Sequence, residues 1–86
     1  MRIFTEQPLM EYIGEHPETR TALQEWASVV KKSQWTSFED MKKDFANVSS
    51  IGNQQYVFGI MGDRCRLIVA VRFTMQLVNI TELIHN

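Results

Sequence analysis

Residues 64–73 read Arg-Cys-Arg-Leu-Ile-Val-Ala-Val-Arg-Phe, and no other stretch limits the possible folds so sharply. Successive side chains of an extended chain point to opposite faces. Cys65, Leu67, Val69, Val71 and Phe73 then share one face, and Arg64, Arg66, Ile68, Ala70 and Arg72 share the other. This is the pattern of a half-buried strand in a sheet covered on one side and open on the other. By spacing alone the three arginines are either a solvated face or a phosphate-binding one. Arginine is the side chain best shaped to hold phosphate bidentately.

The flanking sequence supplies partners for this strand. Tyr56–Met61 alternates in the same way, and Gly62-Asp63 suits a two-residue hairpin turn. Leu77–Ile84 pairs on the other side after a turn at Thr74–Gln76. Upstream the period is helical. Met1–Phe4 is a short opening strand, Thr5 an N-cap, and Pro8 fits the first turn of a helix. Leu9, Tyr12, Ile13 and His16 form one helical stripe; Pro17 ends it, and Leu23, Trp26, Ala27 and Val30 form a second. Ser37 and Asp40 resemble a capping box before a short third helix that buries Phe38, Met41 and Phe45. The order β-α-α-(α)-β-β-β predicts an α+β fold, an antiparallel β-sheet with two to three helices packed on one face, as a single domain over residues 1–86.

Several function classes are disfavoured. Cys65 is the one cysteine, so neither an internal disulfide nor a multi-cysteine zinc site is available. Its place in an apolar run suits a buried, inert thiol. His16 and His85 are too far apart in sequence to form a local metal pair, so neither a metal nor a cofactor is expected. No run of 18 apolar residues occurs, and a cytoplasmic location is expected. The net charge of −1 conceals a reversal of sign along the chain. Residues 1–30 carry Arg2 and Arg20 against five glutamates, whereas residues 31–86 carry seven Lys or Arg against five acids. The basic second half suits a phosphate-rich partner.

Two segments carry a more specific signal. Lys31-Lys32-Ser33-Gln34-Trp35-Thr36-Ser37-Phe38-Glu39-Asp40-Met41-Lys42 resembles the K-A-x-W-x-S/T-F-x-D-V/L-K segment of HigB-type toxins. Gly52-Asn53 and Val57–Val69 resemble that family's G-N-x-x-x-V-F-N-I-G-G-N-K-Y-R-L-I-V segment. The opening Met-Arg-Ile-Phe is also similar. The resemblance implies a RelE-like fold and an endoribonuclease that cleaves mRNA, often on the translating ribosome, by metal-independent attack of the ribose 2′-OH. It implies a helix-turn-helix antitoxin as inhibitory partner. Carried over by position, Arg66 grips the scissile phosphate, Arg64 keeps a positive charge where the family has lysine, and Lys31, Lys32, Lys42 and Arg72 contact the RNA backbone. Trp35 and Tyr56 read as core residues.

The family continues beyond its last strand with a motif like T-H-x-E-Y-D. Here the sequence reads Ile84-His85-Asn86, so that catalytic stretch is expected to be missing. With a hairpin one residue shorter than in the family, His85 takes the histidine position as a third catalytic candidate; without that gap, Asn86 does. Gly59 stands in place of the family's Asn, and Met61 in place of a Gly. The alternative expectation is a catalytically inactive toxin that serves only as an antitoxin-binding module.

Overall fold

A computed structural model describes residues 1–86. The elements in chain order are β1 (Arg2–Ile3), α1 (Gln7–Glu15), a 3-10 turn (Pro17–Thr19), α2 (Arg20–Lys32), α3 (Phe38–Asp44), β2 (Val48–Gly52), β3 (Gln55–Ile60), β4 (Cys65–Arg72) and β5 (Leu77–His85). The fold is α+β as expected, with one strand more than the expected order. β2 escapes the sequence pattern because it is a short edge strand in which Val48 alone is buried. The five strands lie in the order β1-β5-β4-β3-β2, antiparallel except that β1 runs parallel to β5.

The helices form where the apolar stripes lie. Leu9, Tyr12 and Ile13 are buried from α1, and Leu23, Trp26, Ala27 and Val30 from α2. Thr5 is not the N-cap of α1, which begins at Gln7; its Oγ1 accepts the Gln7 N–H at 3.3 Å from just outside the helix. Ser37 does cap α3, its Oγ accepting the Asp40 N–H at 3.4 Å. The Asp40 carboxylate does not complete the box on Ser37. It accepts the Thr36 N–H at 2.9 Å and the Thr36 hydroxyl at 2.8 Å, one residue earlier. No helix is long and apolar enough to cross a membrane.

One core of 20 buried residues lies between the helices and one face of the sheet. β4 behaves as its alternation requires: Cys65, Leu67, Val69 and Val71 are buried beneath the helices, and Arg66 and Arg72 are exposed on the far side. From β3, Tyr56, Phe58 and Ile60 face the same core. Trp35 is an anchor of it, its Nε1 donating to Asp44 Oδ2 at 2.8 Å. All the helices therefore cover one face, and the arginine face is left open.

The turn between β3 and β4 forms on Gly62-Asp63, both at positive φ as a primed hairpin turn demands, with the Arg64 N–H pointing to Met61 O at 3.4 Å. The ladder ends at Ile60 opposite Cys65. Arg64 consequently belongs to the turn and not, as its alternation suggested, to the strand.

A second irregularity has larger consequences. Val69 pairs with Ile80, but Ile68 pairs with Glu82. Thr81 is the extra residue of a β-bulge, its Oγ1 donating to Ile68 O at 2.9 Å. Beyond the bulge, Leu83 and His85 stand opposite Leu67 and Cys65, on the helix side.

Candidate functional site

The open face of the sheet holds a cleft of about 460 Å³ at the β2–β3–β4 end. Asn47, Ser49, Val57, Gly59, Asp63 and Arg66 line it. Register puts Ser49, Val57, Gly59 and Arg66 there, since Ser49 pairs with Val57 and Gly59 with Arg66. Arg66 is exposed, and its guanidinium enters none of the three ion pairs of the chain. A charge left unpaired in a concave, polar cleft is available to an anionic ligand.

Gly59 shapes this cleft. A methyl group on Gly59 would collide with Asp63 Oδ1 and meet Asn47 Cβ at 3.5 Å. The turn thus folds the Asp63 carboxylate down over a strand position that has no side chain. Asp63 was legible only as a turn former. Glycine inside a strand is a signal of close approach by another group, and it marks this position. Ser49 and Asn47 were missed with β2 itself.

The other expected site residues are distributed elsewhere. Arg72 is on the open face, but six residues from Arg66 along β4 is about 20 Å at ~3.3 Å per residue, and its Nη1 donates to Gln54 Oε1. It borders a second cleft of about 300 Å³ with Phe4, Ala70, Met75 and Leu77. Lys31, Lys32 and Lys42 belong to the helix layer. Lys31 Nζ is 2.7 Å from Glu6 Oε2, and Lys42 Nζ lies 5.4 Å from the centre of the Phe38 ring. Lys32 is exposed at the end of α2.

His85 is not beside Arg66. The bulge turns it to the helix side, where its ring stacks on His16 at 4.1 Å between centroids and its Nδ1 is 3.0 Å from Tyr12 Oη. The two histidines, distant in sequence, are neighbours in space. Burial, with the Cys65 thiol alongside, pushes the Tyr12 phenol up to about 12. Burial also pushes the Cys65 thiol up, which fits an inert core cysteine. Asn86 takes the position opposite Arg64, donating its N–H to Arg64 O at 2.9 Å and its Nδ2 to Asp63 O at 2.8 Å.

A mostly antiparallel sheet with helices on one face and the other face open is an α+β architecture compatible with a RelE-like fold. A family model described as HigB toxin, the RelE-like toxic component of a toxin–antitoxin system, matches residues 19–85, and the chain belongs to that family. No curated protein matches the chain.

Proposed function

We propose that the open face binds and cleaves mRNA, with Arg66 holding the scissile phosphate and Asp63 accepting the proton of the attacking 2′-OH. The observation that carries this reading is the shared cleft: an unpaired arginine and a carboxylate open into one concavity on the uncovered face. Attack of the 2′-OH on the adjacent phosphorus breaks the bond to the 5′ oxygen and leaves a cyclic phosphate and a 5′-hydroxyl. The nucleophile is part of the substrate, so the site has to supply a proton acceptor and a cation, and the departing 5′ oxygen takes its proton from water in the open cleft. Arg66 stabilises charge as it grows on the phosphoryl oxygens, and Arg72 is a further backbone contact along the face. A cytoplasmic toxin working on translated mRNA, inhibited by an antitoxin protein, is the biological form of this reading.

One observation favours a second reading, an antitoxin-binding module without catalysis. Both histidines, His16 and His85, and both tyrosines, Tyr12 and Tyr56, are on the helix side of the sheet, away from the Arg66 cleft. The deciding assay maps 5′ ends on a reporter mRNA in cell-free translation. Cleavage by the parent, lost about 100-fold or more in Arg66→Ala and also lost in Asp63→Asn, supports the nuclease. Both residues are exposed, so circular dichroism of the variants should match the parent. Intact mRNA with the parent supports the module.

A further inference from the structure

The bulge in β5 does more than remove His85 from the arginine face. It brings together three side chains from three places: His16 just after α1, Glu18 in the 3-10 turn, and His85 at the end of β5. We propose that these three residues bind a divalent transition-metal ion, with zinc the best match. This site is on the opposite side of the sheet from the Arg66 cleft and does not depend on the nuclease reading.

Each residue offers one ligand atom, and the three atoms lie within 4.8 Å of one another. His16 Nδ1 is 3.9 Å from Glu18 Oε2, and the two imidazoles stack with 12° between their planes. Ligand atoms at ~2.0–2.1 Å from a tetrahedral ion are about 3.3–3.5 Å apart. Closing the site therefore takes rotation of exposed or half-buried side chains. Two imidazoles and one carboxylate form a recurrent zinc donor set, with water in the fourth position. Softer thiolate sites are excluded here because Cys65 is buried.

A supporting contact is already present. Tyr12 Oη lies 3.0 Å from His85 Nδ1. A phenol oxygen accepting Nδ1–H leaves the Nε2 lone pair of His85 free for the ion, the kind of outer contact that orients metal-bound histidines. The open surroundings of Glu18 and His85 give an ion a path of entry. Once bound, it would tie the end of β5 to the end of α1, a link between segments remote in the chain.

The test is zinc titration of the full chain by calorimetry, with thermal unfolding in Zn²⁺ and in chelator. One ion per chain is expected, with Tm raised by about 15 °C at a hundredfold excess over Kd. His85→Gln and Glu18→Gln should each lose most of that shift while keeping the parent's far-ultraviolet spectrum. Cobalt substitution should give tetrahedral visible bands without a thiolate charge-transfer band. Zinc binding unchanged in both variants, or abolished by Cys65→Ser alone, would overturn the proposal. So would the absence of any binding at micromolar zinc.

Discussion

Trp26 and Trp35 are both buried, but their indole N–H groups fare differently. Trp35 Nε1 donates to Asp44, whereas Trp26 Nε1 has no partner within the chain. Replacement by phenylalanine removes similar ring volume at each position, but breaks a hydrogen bond, the one to Asp44, only at Trp35. Urea unfolding is expected to show Trp35→Phe costlier than Trp26→Phe by about 1 kcal/mol; equal losses would contradict the contrast. Asp40 gives a prediction in pH. The N–H and hydroxyl of Thr36, with help from Lys43, hold its carboxyl below the ordinary value. The folded state thus binds this proton less tightly than the unfolded state. The resulting stability is present above the ordinary carboxylate pKa of about 4 and is lost as pH falls through the lower folded value. Asp40→Asn should lower Tm at neutral pH and flatten the acid limb of the stability profile.

At the scale of elements, the bulge in β5 decides which side chains meet. Had Thr81 taken an ordinary place opposite Ile68, every later residue would have changed face, and His85 would have stood opposite Arg64. Deleting Thr81 leaves the observed pairs intact and should cost only about 1 kcal/mol, one hydrogen bond, with Tyr12–His85 contacts retained in NMR. Deleting Ile84 instead moves His85 opposite Arg66, and those contacts should vanish. The same geometry makes Asn86 the place to restore a histidine to the arginine side. If the open face is a nuclease site, Asn86→His should raise mRNA cleavage about 100-fold, the lower end of the range for positioned acid–base groups.

The whole molecule has a net charge of −1, so RNA affinity has to come from the few charges concentrated on one face. If Arg66 and Arg72 on the open face and Arg64 on the adjoining turn each neutralise one phosphate, affinity for single-stranded RNA should fall with salt at a logarithmic slope of about −2. Arg72→Ala should reduce that slope by about 0.7; a slope near zero would speak against a phosphate-binding face. The shared core of 20 residues predicts that the chain unfolds as one cooperative unit, with coincident near- and far-ultraviolet transitions.

What the sequence determined by itself was local. Alternation from Cys65 to Arg72, the stripes of α1 and α2, the Ser37 cap and the Gly62-Asp63 turn were all readable, because each depends on neighbours a few residues apart. Those patterns, with the HigB-like segments, sufficed for the fold class and for placing Arg66 on the uncovered face. The parallel pairing of β1, the edge strand β2, the carboxylate over Gly59 and the meeting of His16 with His85 were not readable. Each depends on the register between segments distant in the chain. One extra residue in a ladder reverses the face of all that follow it, and only the closed sheet reveals where that residue sits.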